Sequence, residues 1–258
     1  MDNRTETNSN ERYILSSVDS ALKVLNLFLK YEEMTTTEIA RETGMSRSTA
    51  FRFIVTLENR GYLYRGENGK YRLGINVFSL GQLAYSRNEL VHVVHPYLVR
   101  MAEETGETTH VAIIQSETDT VFIDRALGTQ SLKMSTPLGY RMKAHNTATG
   151  KAILAFQDDK YINQYLRVAT FEKKTEHSIE NAAELLKILD DVRRDGYASD
   201  SEEAEEGLTC FARPLVNSSG RAYAAISVSG PTTRMLHQKE EILSKLDQII
   251  GEINSSLP

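Results

Sequence analysis

Residues 35–63 read TTTEIARETGMSRSTAFRFIVTLENRGYL, and this stretch decides the fold of the N-terminal part of the chain. Thr35 and Glu38 stand at capping-box spacing: the hydroxyl can accept from the amide three residues on, and the Glu can return the bond. Gly44 sits where a left-handed backbone ends a helix at low cost. Ser46 can then cap a second helix, whose Ala50, Phe53, Ile54 and Leu57 fall at i, i+3, i+4 and i+7 on one apolar stripe. The opposite face carries Ser48, Arg52 and Asn59, flanked by Phe51 and Thr56, with Arg47 and Thr49 in the first turn. Two short helices, a turn containing Gly and a polar outer face form the helix-turn-helix pattern, whose second helix enters the DNA major groove. Helical pairs around a glycine also occur in proteins that bind no DNA, so the flanks matter.

Upstream, Ser17 is a candidate cap for a helix bearing Val18, Ala21, Leu22, Leu25, Phe28 and Leu29 at helical spacing. Downstream, residues 62–65 and 70–73 are short β-like runs around Gly66-Glu67-Asn68-Gly69, where Asn-Gly favours a type I′ hairpin turn. Three helices and a hairpin make a winged helix-turn-helix. Residues 46–72 hold six basic residues (Arg47, Arg52, Arg60, Arg65, Lys70, Arg72) against Glu58 and Glu67, in a chain of net charge −5. Positive charge gathered on one part of an acidic protein is the footprint of phosphate neutralisation. Arg65, Lys70 and Arg72 on the wing are the candidates for phosphate or minor-groove contact. Arg47, Ser48, Thr49, Phe51 and Arg52 are the candidates for base edges. Arg60, at a helix C-terminus, can equally serve the helix dipole.

A chain of 258 residues with 40% hydrophobic content is long enough for two domains with real cores. No apolar run approaches the roughly 18 residues of a membrane span. Residues 1–16, MDNRTETNSNERYILS, lack the apolar centre of a signal peptide and read as a disordered tail. The single cysteine, Cys210, excludes an internal disulfide and fits a reducing cytoplasm.

After a DNA-binding domain over 17–74, residues 75–88 predict a linker helix with Val77, Phe78, Leu80, Leu83 and Ala84 on a broad apolar face. A small DNA-binding module has little surface to cover that face, which points to pairing with a second copy; docking on its own chain is the alternative. Paired operator half-sites also call for a dimer.

Residues 89–258 read as mixed α/β. A helix over 90–105 is broken or restarted by Pro96, and β-rich runs follow at 108–115 and 120–125. Helices are expected over 148–156 and over 179–194, the latter capped by Ser178 and stopped by Gly196. Strands at 208–216 and 221–229 flank the turn Asn217-Ser218-Ser219-Gly220. A final helix after Pro231 turns Leu236, Ile242, Leu246, Ile249 and Ile253 inward. The acidic run 202–206 reads as a solvated loop. This order predicts an α+β chain: a winged helix-turn-helix, a linker helix, and an antiparallel sheet with flanking helices that can hold a small ligand.

HNTATGKAILA (145–155) and GYASDSEEAEEGLTCFARPLVNSSGRAYAAISVSGP (196–231) resemble the signature segments of the IclR family of bacterial one-component transcriptional regulators. ETGETTHVAI (104–113), the winged helix and the apolar linker fit the same family, so the resemblance spans residues 17–254. It implies a winged helix on a double-stranded DNA operator, a homodimer or homotetramer, and a GAF-like C-terminal domain that binds a small metabolite, often an organic acid. Carried over by position, Ala148 and Thr149 offer backbone amides at a helix start, a place that favours an anionic group. Asp200, Cys210, Ser227 and Ser229 offer hydrogen-bonding side chains; Ser227 and Ser229, two apart on a strand, face the same way. Met134 and Met142 match apolar lid positions, where flexible thioethers mould to varied ligands. Asn146 and Thr149 stand where small residues are also common in the family, which leaves pocket size and ligand identity open.

Competing chemistries are thinner. Thr149-Gly150-Lys151 resembles the end of a P-loop, but His145 stands at the upstream Gly position and Ala152 follows the Lys. Cys210 has no adjacent His to activate it. The six histidines show no HxxxH spacing and the cysteine has no partner, so neither metal nor cofactor is expected. The reading is therefore a transcriptional regulator rather than an enzyme, with repression or activation left open. Two alternatives stand beside it: a metabolite-processing enzyme with an accessory winged helix, and a winged helix used only for protein contacts.

Overall fold

The computed structural model describes residues 13–256 and divides into two compact units, one ending at Arg87 and the other beginning at Asn88. Most of the expected N-terminal tail, residues 1–12, lies outside the described residues; Tyr13, Ile14 and Leu15 are exposed.

In the first unit, α1 (Ser16–Leu27), α2 (Thr36–Thr43) and α3 (Arg47–Asn59) precede the hairpin β1 (Leu63–Arg65) and β2 (Tyr71–Leu73), and α4 (Ile75–Ser86) closes it. Local chemistry sets the boundaries. The Thr35 amide donates to Glu38 Oε2 at 2.7 Å and the Glu38 amide to Thr35 Oγ1 at 3.3 Å. Gly44 ends α2 with φ 69°, and the Thr49 amide donates to Ser46 Oγ at 3.1 Å. Val24, Phe28, Ile39, Ala50, Ile54 and Leu57 bury against Leu63 and Tyr71 of the wing. Each large aliphatic side chain so buried contributes about 1.5–3 kcal/mol.

Two local expectations are corrected here. Helix α1 starts at Ser16 behind Leu15 with no side-chain cap, so Ser17 is not its cap. Val24 and Phe28 are buried and Ala21 and Leu25 pack beside them, while Val18, Leu22 and Leu29 are exposed, because the small core meets only a narrow stripe of α1. In the wing turn the Gly69 amide donates to Gly66 O at 2.9 Å, and Gly69 has φ 77° whereas Asn68 has none above zero. A type I′ turn needs positive φ at both central residues, so this is a type I turn closed by a left-handed Gly.

In the second unit α5 (Glu89–Thr105) leads into a six-stranded sheet of β3 (Thr108–Ile114), β4 (Asp119–Ala126), β5 (Arg141–Lys143), β6 (Ala198–Ser201), β7 (Leu208–Val216) and β8 (Ala222–Pro231). The order is β5-β4-β3-β8-β7-β6 and every neighbouring pair is antiparallel. Helices α6 (Ala148–Ala155), α7 (Asp159–Val168) and α8 (Ala182–Asp195) pack on one side, with α9 (Thr232–His237) and α10 (Lys239–Ser256) joining α5 on the other. Strand alternation divides the cores. Phe211, Leu215, Ala224, Ile226 and Val228 face α5 and α10, whereas Cys210, Ala212 and Ala225 face α6 and α8. Gly150 lets α6 sit close to the turn before it: a Cβ there would lie 2.2 Å from Ala144 O.

The sequence expectations need four amendments in this unit. Pro96 lies inside a continuous α5, on its exposed side, where the lost backbone bond meets solvent. Asn181, not Ser178, caps α8, accepting from the Glu184 amide at 3.0 Å. The last helix is two helices parted at Gln238, with Met235 buried and Leu236 56% exposed, so Leu236 does not belong to the inward face. Helix α7, capped by Asp158, and the short strands β5 and β6 were not anticipated. Among the described residues no helix is long and apolar enough to cross a membrane.

Candidate functional site

Two sites emerge, one in each unit. On α3, Arg47, Ser48, Thr49, Phe51 and Arg52 are all exposed, Phe51 at 51% despite its apolar ring. Ser46 Oγ lies 3.0 Å from Ser48 Oγ and 2.8 Å from Thr49 Oγ1, which fixes the first turn. On the wing, Arg65 sits over the Tyr71 ring at 5.8 Å. Lys70 and Arg72 are already engaged: Glu33 takes Lys70 Nζ at 2.7 Å, Arg72 Nη2 at 2.5 Å and Asn68 Nδ2 at 3.2 Å. Hydrogen bonds from Lys70, then Arg72 and Asn68, hold the Glu33 carboxyl down to about 2. A phosphate brought to the wing would therefore have to compete with Glu33, a residue that sequence reasoning missed.

The second site lies in the sheet unit, where register builds it. Asp200, Cys210, Ser229 and Thr108 stand in one cross-strand row from β6 to β3. The next row is Ala212, Ser227, His110 and Arg125, from β7 to β4. Over this face sits the start of α6. Thr147 Oγ1 accepts from the Gly150 amide at 2.9 Å and Thr147 O from the Lys151 amide at 3.0 Å. The Ala148 and Thr149 amides precede any intrahelical acceptor and remain as donors. All eight residues expected from the resemblance, Met134, Met142, Ala148, Thr149, Asp200, Cys210, Ser227 and Ser229, line one small cavity of about 20 Å³. Phe122, Thr147, Ala204 and Leu208 complete it. Met134, Met142, Ala204 and Leu208 also line a cleft of about 760 Å³, so they form the wall between cavity and cleft.

Electrostatics follow from burial. Asp200 is 2% exposed, and its Oδ1 accepts from the Glu203 amide at 2.8 Å and the Ala204 amide at 3.4 Å. Burial pushes its carboxyl up to about 6; Glu203 adds to the rise and Lys151 opposes it. Lys151 is itself buried and pairs with the Glu203 carboxylate. The acidic run is therefore no solvated loop throughout: Glu203 turns inward because a buried lysine needs its charge. Burial, aided by Asp200, pushes the Cys210 thiol up, so it stays a neutral thiol and a poor nucleophile.

Residues 127–140 carry Met134 over the cavity and are gripped by carbonyls. Thr108 Oγ1 donates to Met134 O at 2.8 Å, Arg234 Nη2 to Leu132 O at 2.7 Å, and Arg125 Nη1 to Thr136 O. Arg234 is held in turn by Glu107, at 2.9 Å from its Nη2. His110 was also missed: it is fully buried and burial, then Arg125, pushes its imidazole down to about 4. A polar ring inside the β-run TTHVAI was the available signal. Among the described residues no group of three or more His, Cys, Asp and Glu could hold a metal ion.

Residues 17–67 match the IclR helix-turn-helix domain, and residues 82–254 match the domain described as Bacterial transcriptional regulator IclR C-terminal. This chain belongs to the IclR family. The HTH-type transcriptional regulator KdgR of Escherichia coli (strain K12) is 32% identical to this regulator over 246 residues, covering 93% of each chain. The crystal structure of the Thermotoga maritima IclR superposes with a TM-score of 0.71 at 31% identity, covering 93% of this chain and 98% of that one. An IclR homolog from Microbacterium hydrocarbonoxydans, crystallised in complex with 4-hydroxybenzoate, shares the fold with a TM-score of 0.78 at 22% identity over 93% and 98%. The α+β architecture is thus that of IclR regulators, with a helix-turn-helix DNA-binding domain and a C-terminal effector-binding domain. The chain is a transcriptional regulator, and the enzyme alternative is not favoured.

Proposed function

We propose that this IclR-family regulator binds a double-stranded operator as a homodimer, and that a carboxylate-bearing metabolite in the second unit changes that binding. The observation that carries the ligand assignment is the convergence of the Ala148 and Thr149 amides with Asp200, Cys210, Ser227 and Ser229 on one cavity. A helix N-terminus suits an anionic group. Asp200, its carboxyl raised to about 6 by burial, needs little more to take up a proton, and an anion seated beside it raises it further, so that it can then donate to a ligand carboxylate. Such a ligand shifts DNA binding only through unequal affinity for two arrangements of the protein.

Operator contact is assigned to Arg47, Ser48, Thr49, Phe51 and Arg52 on α3 and to Arg65, Lys70 and Arg72 on the wing. The dimer is supported by α4, where Ile75, Phe78, Leu80 and Leu83 are 70%, 66%, 54% and 47% exposed. An apolar groove of about 610 Å³ beside them is lined by Val18, Leu22, Leu25, Phe53, Leu57 and Leu80. A second copy seated there would pair two recognition helices for half-sites about 34 Å apart. Pairing of dimers into a tetramer, the division into 17–74, 75–88 and 89–258, and residence in the cytoplasm belong to the same proposal.

The test is titration of the purified chain with DNA from its own upstream region across a salt series. Operator-specific binding that weakens steeply with salt and responds to a carboxylate supports the whole reading. Specific binding that ignores every carboxylate removes the ligand assignment, and binding without sequence preference removes the operator.

A further inference from the structure

We infer that the second unit holds a further ligand site, a groove where β3 ends and β8 begins, which takes a short free peptide by its two charged ends and its main chain. This goes beyond the effector cavity and does not rest on it. The cavity meets α6 at Ala148 and Thr149, whereas the groove meets it at Ile153 and at Gln157, just past its end.

The groove comes from a split in the sheet. Register between β3 and β8 stops at the Ala112–Ala225 pair, although β3 runs on to Ile114 and β8 starts at Ala222. The Gln115 amide donates to Asp119 O at 3.1 Å, so Gln115 turns to β4. Antiparallel strands alternate, and Ile114 therefore turns its N–H and C=O the other way, to where β8 would pair. Strand β8 does not meet them. The end of α6 engages Ala222 instead: the Ala222 amide donates to Phe156 O at 3.3 Å, and its carbonyl accepts from Gln157 Nε2 at 2.7 Å. Half-buried Ile114 thus keeps one main-chain donor and one acceptor open, the pair that an extended chain offers in return. Two pockets, of about 250 and 260 Å³, share Ile114 and Tyr161 and so form one groove.

The two ends of the groove carry opposite charges. In one pocket Arg221 is fixed in place: its Nε donates to Gln157 Oε1 at 2.7 Å and its guanidinium lies over the Tyr161 ring at 5.8 Å. Gln157 is itself oriented by donating to Ile153 O and Ala222 O. Among the described residues neither Nη atom of Arg221 has a partner, and no Asp or Glu lines this pocket. Its planar fork suits a carboxylate. The charged residue of the other pocket is Glu117, which accepts from Gln164 Nε2 at 3.3 Å and suits an ammonium group. Ile153 and the Tyr161 and Tyr223 rings leave apolar surface for a side chain between them. Glu117 stands in the turn between β3 and β4, and Arg221 follows the turn between β7 and β8. The two turns are about two strand spacings apart, roughly 10 Å. An extended chain covers that distance with about three residues. A single amino acid is too short for both ends, and a simple organic acid has nothing to give Glu117.

Calorimetry on the full chain tests this with trialanine, alanyl-leucyl-alanine and alanyl-phenylalanyl-alanine. At least one should bind, and N-acetylation or C-terminal amidation of that peptide should each weaken it about tenfold. N-methylation of its central residue should weaken it to a similar degree, because Ile114 O then loses its donor. Arg221→Gln should erase the difference between free acid and amide, and Glu117→Gln the difference between free and acetylated amine. Both side chains are exposed, so neither change should disturb the fold. Failure of all three peptides to bind overturns the inference. Binding that ignores the caps and the N-methyl group overturns it too. So does a preference for free ends that survives both variants, since the peptide then sits elsewhere on the protein.

Discussion

Lys151 on α6 and Glu203, in the loop after β6, form an ion pair with the lysine side chain 1% exposed and the glutamate 11% exposed. The pair ties the helix that presents the Ala148 and Thr149 amides to the loop whose amides hold Asp200. Removing one member of a buried pair strands the other charge, at about 3–5 kcal/mol. Lys151→Met should therefore destabilise the second unit by about that much. Lys151→Met combined with Glu203→Leu should recover more than half of the loss. Urea unfolding followed by circular dichroism reads both, and equal losses in the single and double variants would show that the pairing itself contributes little.

Asp200 gives the fold a pH dependence whose sign is fixed. Its folded-state pKa, about 6, lies above the ordinary 3.8, so the folded protein holds this proton more tightly than the unfolded chain does. That contribution to stability is full below about 3.8 and lost as pH rises through about 6. Asp200→Asn keeps an oxygen for the two amides and removes the buried charge. It should stabilise the protein by about 2–3 kcal/mol at pH 8 and hardly at all near pH 4. A gain of the same size at both values would mean that another group titrates.

Glu33 restrains the wing. Glu33→Gln should release Lys70 and Arg72 toward phosphates, tighten DNA binding and steepen its salt dependence by roughly one to two counterions. Fluorescence anisotropy across a salt series measures the slope. A slope that stays as in the wild type would show that both cations reach phosphate with Glu33 in place.

Arg52 on the exposed side of α3 is expected to read a base. Arg52→Ala should cost about 1–3 kcal/mol on the specific operator and much less on unrelated DNA. Equal losses on both would make it a phosphate contact.

The apolar face of α4 predicts the oligomeric state. Phe78→Asp with Leu83→Asp should leave the helix-turn-helix core folded, since neither side chain is buried in it, yet convert the proposed dimer to monomers by light scattering. Operator binding should fall with it, because single recognition helices lose the paired half-site. A double variant that stays dimeric would move the interface elsewhere.

The first unit was legible because its signals are local. Thr35 with Glu38, Gly44 and Ser46 act within four residues of themselves, and their geometry follows from their chemistry. The unread features depend on partners far along the chain. Glu33 meets cations 37 and 39 residues away, and Glu203 meets a lysine 52 residues away. In the second unit, β5 and β6 have three and four residues, too few for alternation to register. Strand β8 is buried on both faces, so its pattern separates no cavity side from a core side. The lining residues came from motif resemblance, and Phe122, outside those motifs, was overlooked.

The inner cavity, about 20 Å³, has room for roughly one water molecule. Any metabolite of several carbons must enlarge it, and the methionine wall is the part built to give. Met134 cannot retreat without pulling on the grips at Leu132, Met134 and Thr136 together. At the proposed effector site, occupancy by an acid is therefore coupled to movement of that segment, and ligands would differ in how far they displace Met134.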